Sequence, residues 1–369
     1  MPVSSDLAVD LQHVEKTYRG RIHALRGVAM QVRRGEIFGL LGPNGAGKST
    51  LVKILTTVIS PTRCTGTLLG QRVGHKPTLA RVGYLPEHHR FPEYLTGRQV
   101  LTYFAALSGV ERRERRRRAA ALLSDVGMAR WADTRVRQYS KGMRQRIGVA
   151  QALMMDPALV ILDEPTDGVD PVGRRDIRDI LQRERAKGKA VFVNSHLLSE
   201  LEQLCDRCAI MVQGRVWAQG TVDELTEYGR RHEVAVDLGP APDDAAHARL
   251  AGIVRGGPDA SSPNPATAAP AVEIKDHTIT IKTSDPRSIQ PLIDRLRAAA
   301  YTITAVRDTR PSLEELFMRA VTDPATGRAF DPGAAEGKAS PAPTLADMQA
   351  ANSGAGSAPA RPAGTGARS

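Results

Sequence analysis

The most constraining feature of the sequence is the run GPNGAGKS at residues 42–49, directly after the apolar pentapeptide IFGLL at residues 37–41. Five apolar residues without polar alternation suit a strand covered on both faces. Leu51, Ile54, Leu55 and Val58 then recur at helical spacing, which predicts a helix with these four on its buried face. Strand, glycine-rich turn and helix in that order gather Gly42, Pro43, Asn44, Gly45, Ala46, Gly47, Lys48, Ser49 and Thr50 around an anion. Glycine permits a turn tight enough for main-chain N–H groups to surround phosphate oxygens, and a helix start adds partial positive charge. The run matches G-x-x-x-x-G-K-[ST], in which Lys48 neutralises the β- and γ-phosphates of a nucleotide and Ser49 reaches Mg²⁺.

Two more apolar runs end in chemistry. Residues 159–162 (LVIL) lead into Asp163-Glu164-Pro165, and residues 190–193 (AVFV) into Asn194-Ser195-His196. Up to about residue 230, such runs alternate with helical patterns, the signature of an α/β domain. Ligands of parallel sheets collect at the carboxyl ends of the strands. Asp163 is therefore expected to bind Mg²⁺ through water, Glu164 to polarise an attacking water, and His196 to reach the edge of the γ-phosphate.

With 369 residues, 41% of them hydrophobic, the chain can form two domains and a tail. No stretch approaches the ~20 apolar residues of a membrane-spanning helix. The N-terminus lacks the basic start and apolar block of a secretory signal. Cys64, Cys205 and Cys208 are too few for a disulfide framework and fit a reducing compartment; the C-x-x-C of the last two reads as structural. The expected location is the cytoplasm, with membrane work done through a partner. The net charge of +11 reads as an arginine-rich solvated surface. Aromatics at 4% and the lack of a recognised module argue against specific nucleic-acid binding.

One stretch narrows the class. Residues 139–146 read YSKGMRQR, before a short predicted helix at residues 142–154 and then the Asp-Glu strand. This resembles the LSGGQ-type signature of ABC ATPases, and the resemblance runs from about residue 7 to 230. It implies a P-loop NTPase core with a helical signature subdomain at about 95–155. It also implies a head-to-tail dimer, in which Ser140, Lys141, Gly142 and Met143 of one copy face the γ-phosphate held by the other. Ser140 would cap that helix start. Tyr18 looks like the aromatic that stacks on adenine, Asp170 like the D-loop residue at the dimer interface, and His196 like the switch histidine. Two stations depart from the common pattern. The signature has Lys141 and Met143, and the Q-loop stretch GYLPE has Glu87 where glutamine is usual. Glu87 can still offer oxygen to Mg²⁺ or its water, at the cost of extra negative charge.

GYLPE with YSKGM is similar to the branch that serves ABC-2 type exporters, of the daunorubicin-resistance and ABCA-like kind. The resemblance implies an ATP-hydrolysing motor on the cytoplasmic face of the cell membrane, with an integral-membrane permease as partner. Both halves of a composite site are present in one chain, which leans toward a homodimer, with a heterodimer open. The other readings are a soluble ABC ATPase acting on nucleic acid or ribosomes, and a P-loop kinase, which leaves YSKGM and Asp170 unexplained.

Other segments have blander readings. The run RRERRRR at residues 112–118 reads as a solvated face or one attracted to anionic lipid. His88-His89 reads as a permease-facing or solvated loop, since neighbouring residues rarely point at one ion. Residues 231–321 predict a small α+β domain of split βαβ type, in the order βαββαβ plus a helix. Its loop is placed at residues 256–270 and its hairpin turn at Asp276-His277. Residues 322–369, rich in Ala, Pro, Gly and Ser, predict a disordered tail.

Overall fold

Two long strands, β1 (Leu7–Tyr18) and β2 (Ile22–Arg33), pair antiparallel and begin a small outer sheet. The chain then turns inward to β3 (Ile37–Leu41), whose five residues are all buried, and α1 (Lys48–Leu55). Strands β4 (Arg63–Leu68) and β5 (Gln71–Arg72) complete the outer sheet in the order β2-β1-β4-β5. After β6 (Val82–Leu85) come α2 (Gly97–Leu107), α3 (Arg112–Asp125) and α4 (Lys141–Leu153). The remaining central elements are β7 (Leu159–Asp163), α5 (Pro171–Ala186), β8 (Ala190–Asn194), α6 (Leu198–Leu204), β9 (Arg207–Val212), β10 (Arg215–Thr221) and α7 (Val222–Glu227). This computed structural model describes residues 6–19, 22–227, 231–237, 244–255, 272–275, 278–281 and 286–322.

The central sheet has the order β10-β9-β3-β8-β7-β6, with β9, β3, β8, β7 and β6 parallel and β10 antiparallel. Stacked Phe38 and Phe192, with ring centroids 5.8 Å apart, fill the middle of its core. The P-loop NTPase core expected from the sequence is thus present. Burial on both faces explains why β3, β7 and β8 read as unbroken apolar runs.

One local expectation differs. Val58 continues the helical spacing of α1, but it is 63% exposed. The helix ends at Leu55, Thr57 turns to φ 58°, and Val52 is buried in its stead. The helical region after the Q-loop is built from separate helices. Gly109 and Gly127, at φ 78° and 68°, close α2 and α3, and two short 3-10 turns lead to α4. A capping box between Thr96 and Gln99 starts α2, and the Glu111 carboxylate starts α3.

The described residues form two compact units, one from the stretches within 6–227 together with 310–322, the other from the stretches within 231–309. In the second lie β11 (Arg231–Val236), α8 (Asp244–Arg255), β12 (Val272–Lys275), β13 (Thr278–Ile281), α9 (Gln290–Ala298) and β14 (Ile303–Thr309). Their antiparallel sheet has the order β12-β13-β11-β14, so β13 separates the two strands joined through α8. Leu250, Leu292 and Leu296 of the helices pack on Val234, Val236 and Ile279 of the sheet.

The last described helix, α10 (Leu313–Val321), departs from the expected boundary at residue 321. It belongs with the first unit, packed on α6, α7 and β9. Its apolar stripe Leu313, Leu316, Ala320 and Val321 is the reason, since all four are buried. The expected loop at 256–270, the turn at 276–277 and the tail beyond 322 lie outside the described residues.

Candidate functional site

Four neighbouring strands, in the order β3-β8-β7-β6, deliver the candidate residues at their carboxyl ends. The loop 42–47 leaves β3, Asp163 closes β7 with Glu164 next, Asn194 closes β8 before Ser195 and His196, and Glu87 follows β6. The turn before α1 needs glycine at 47. There φ is 102°, and a Cβ would lie 2.5 Å from the Ala24 carbonyl oxygen. Lys48 is buried, and its Nζ donates to the carbonyl oxygens of Gly42 at 2.6 Å and Pro43 at 3.2 Å. Burial pushes its pKa down, opposed by the charges of Glu164, Asp163 and Glu87.

Asp163 is equally enclosed. Its Oδ1 accepts from Asn194 Nδ2 at 2.5 Å. Burial raises its pKa above the ordinary aspartate value, helped by Glu87 and Glu164 and opposed by the Asn194 hydrogen bond and by Lys48. Burial, with Asp163 and Glu87, also lifts the Tyr84 phenol to about 12. Glu87 thus acts on the same field as Lys48 and Asp163, although its side chain is half exposed. Glu164 is held by its main chain and by its carboxylate. Its N–H donates to the Asn194 carbonyl oxygen at 2.8 Å, and its own carbonyl oxygen accepts from Gln145 Nε2 at 2.8 Å. His196 Nδ1 lies 2.8 Å from Glu164 Oε2, and Ser195 Oγ donates to the same oxygen at 3.4 Å. At φ 52° Glu164 occupies the left-handed region, on the order of 1–3 kcal/mol unfavourable for a side chain of this kind.

Tyr18, at the end of β1, comes to 3.4 Å from Thr50 Oγ1, and the Lys16 ammonium lies 5.1 Å from its ring centre. Ser140 caps α4, accepting from Met143 N at 3.2 Å, and both Ser140 and Lys141 are exposed. Lys141 pairs with Asp167 at 2.7 Å, and Arg146 with Asp176 at 3.0 Å and Asp170 at 3.9 Å. Asp170 starts α5 beside Pro171, with its side chain largely in solvent. His88 is exposed, but His89 is not in a solvated loop. Its ring is half-buried against α4, 3.3 Å from the Arg144 carbonyl oxygen, with the Phe91 ring tilted beside it at a centroid distance of 5.1 Å. Burial holds Cys205 well above the usual thiol range and Cys208 at about 12.

Several residues of this region carried no role in the sequence reading. Gln145 had a signal, as the polar member of the buried stripe of α4 that continues through Gly148, Val149, Ala152 and Leu153. Glu200, on α6 after the histidine, had none. Its carboxylate accepts from Thr166 Oγ1 at 2.6 Å and pairs with Arg174 at 2.9 Å, and Arg174 Nε donates to the Val169 carbonyl oxygen. Among the described residues no group of three or more His, Cys, Asp and Glu could hold a metal ion by itself.

A phosphate loop, two strand-end carboxylates and a capped helix carrying YSKGM are thus combined in one chain. A family model described as ABC transporter matches residues 25–167. An uncharacterized ABC transporter ATP-binding protein of Synechocystis is 36% identical over 326 residues, 86% of this chain and 85% of that protein. The chain belongs to the ABC transporter ATP-binding subunits. It is also similar to Nod factor export ATP-binding protein I of a Rhizobium species, 32% identical over 85% of this chain and 97% of that one. A daunorubicin resistance ATP-binding protein of Streptomyces coeruleorubidus is 33% identical over 86% and 97%. Among solved structures, an ATP binding subunit of an ABC transporter is 30% identical with a TM-score of 0.56, covering 66% of this chain and 99% of that one. A dimeric ATP-binding cassette in a post-hydrolysis state, bound to ADP and Pi, is 25% identical with a TM-score of 0.54, covering 58% and 98%. This ABC ATPase therefore binds and hydrolyses ATP, and among its described residues no helix is long and apolar enough to cross a membrane.

Proposed function

We propose that this ABC ATPase is the motor subunit of an ABC-2 type exporter, working as a head-to-tail pair on the cytoplasmic face of a membrane permease. One observation carries the reading. Lys48, Asp163, Glu164 and His196 converge at strand ends, while Ser140 caps a helix whose start faces solvent. An exposed helix N-terminus is an anion site in search of an anion. Beside it Gly168, Asp170 and Val172 are also exposed, a face suited to a second copy. The dimeric relative supports the pairing, and the export and drug-resistance relatives support the direction.

On this reading the loop 42–50 cradles the phosphates, Tyr18 stacks on the base, and Lys48 and His196 stabilise the transferring phosphoryl group. Ser140 to Met143 of the partner copy close the site, with Asp170 at the shared interface. Ser49, Asp163 and Glu87 would hold Mg²⁺, and this all-oxygen set suits a hard cation. The charges of Glu87 and Glu164 add to burial in raising the pKa of Asp163, and a divalent ion fits such a grouping of carboxylates. When bound, Mg²⁺ offsets charge on the phosphate oxygens. Glu164 orients and deprotonates the attacking water, and His196, against its Oε2, fixes the direction of that carboxylate. Hydrolysis reopens the pair, and movement reaches the permease through the region around Glu87.

The test is Glu164→Gln. Loss of a general base lowers kcat by about 10²–10⁴-fold, and the variant should accumulate as an ATP-loaded pair, read by light scattering. Near-parental hydrolysis would remove Glu164 from the mechanism. Co-purification with an integral membrane protein tests the transport assignment, and stimulation by DNA or ribosomes in its place would overturn it.

A further inference from the structure

Gln145 is 4% exposed, and its Nε2 donates to the Glu164 carbonyl oxygen at 2.8 Å. On the other side of the same Cα, Glu164 N–H donates to the Asn194 carbonyl oxygen at 2.8 Å. The residue between these two bonds sits at φ 52°, a conformation that persists only where neighbouring structure holds it. The direction of the Glu164 carboxylate depends on that backbone, because φ and ψ set where the side chain leaves the chain. One anchor comes from β8 and the other from α4, the helix that Ser140 begins. Ser140 and Gln145 are five residues apart, about 7.5 Å along a helix axis. At the next turn of α4, Gly148 packs closely against Leu85 and His89.

We infer that Gln145 is a positioning residue for Glu164 and couples the exposed start of α4 to the hydrolytic carboxylate of the same chain. The coupling rests on the head-to-tail reading, in which Ser140 meets the nucleotide held by the partner copy. ATP at one composite site then bears on Ser140, α4 shifts as a rod, and Gln145 transmits the shift to Glu164, which serves the other site. Occupancy of each site thereby sets the geometry of its neighbour's base. The hydrogen bond has a donor on α4 and an acceptor on the β7–α5 connection, so it reports the relative position of two elements and not the integrity of either.

The full chain, with its permease in proteoliposomes, provides the test. Gln145→Met keeps length and removes the donor. The expected result is a fall in kcat of about tenfold, the scale of one hydrogen bond, with KM for ATP within about twofold of the parent. The ATP dependence of the rate, cooperative in the parent, becomes hyperbolic. Gln145→Glu donates only when its carboxyl is protonated, so its rate relative to the parent rises as pH falls. Parental kcat in Gln145→Met overturns the positioning role, as does a kcat loss matched by an equal loss of folded protein. A hyperbolic parent overturns the coupling. Pairing is read separately, from ATP-dependent association of the Glu164→Gln chain. No association there sinks the head-to-tail reading and the coupling with it, whereas association together with parental kcat in Gln145→Met sinks the role of Gln145 alone.

Discussion

Asp163 is a carboxylate at the end of a fully buried strand, and its raised pKa has a consequence for stability. Folding disfavours its ionised form. The resulting penalty is absent below the ordinary carboxylate pKa of about 3.9 and complete once the pH passes the higher folded-state value. The penalty therefore grows as the pH rises from 4 towards neutrality. Asp163→Asn keeps an oxygen for the Asn194 amide and removes the charge. It should raise Tm at pH 7 by more than at pH 4, while hydrolysis falls about 10²-fold or more, the scale of losing one preorganised electrostatic group. A lower Tm at pH 7 would contradict the assignment of burial as the main cause. Glu200 makes the opposite case, a carboxylate whose partners are in place. Glu200→Ala removes the acceptor of Thr166 Oγ1 and the ion-pair partner of Arg174 and should cost about 1–3 kcal/mol in denaturant unfolding. The phosphate loop and the two acids were legible because each is continuous in sequence. Glu200 was not, because Thr166 is 34 residues away and only the folded sheet brings them together.

Strands buried on both faces announce themselves, and β3, β7 and β8 lie where their apolar runs place them. The long strands β1 and β2 carry no such run, since polar residues of their half-exposed faces interrupt the pattern. Helix ends were the weakest reading. Val58 continues the spacing of α1 perfectly well, and only the turn at Thr57 takes it out of the core. The arginine run became interpretable once it was placed on α3. Arg118 turns inward to the Met154 carbonyl oxygen, and with Arg117 it draws Glu114 down to about 2. Arg112, Arg113, Arg116 and Arg117 of α3 face solvent, as do Tyr103 and Leu107 of α2. Near an anionic surface each such charge is worth up to about 1 kcal/mol. Reversing the four to glutamate should weaken binding of the assembled complex to vesicles rich in phosphatidylglycerol, most clearly at low salt. Unchanged binding at low salt would leave this face to solvent.

On the scale of the whole molecule, the first unit is not finished by the first 229 residues. The chain makes the second unit and then returns at Arg310, which pairs with Asp223 at 3.1 Å and Glu227 at 3.5 Å. Leu313 N–H then donates to the Glu202 carboxylate on α6, the helix that follows His196. Leu313, Leu316, Ala320 and Val321 bury the apolar stripe of α10. This stripe was readable as a helix from its spacing, but the surface it covers was not, because nothing local distinguishes a helix that packs on its sequence neighbours from one that returns across 80 residues. A contribution to the stability of the ATPase unit follows directly. Leu316 is 1% exposed, and Leu316→Ala should cost about 2–5 kcal/mol, the range for truncating a buried leucine. A chain ended at residue 229 loses the whole helix and should melt lower still, with ATP shifting its Tm upward because nucleotide binds the folded form. If Leu316→Ala left the melting of the ATPase unit unchanged and altered only the second unit, α10 would have to be reassigned to that unit.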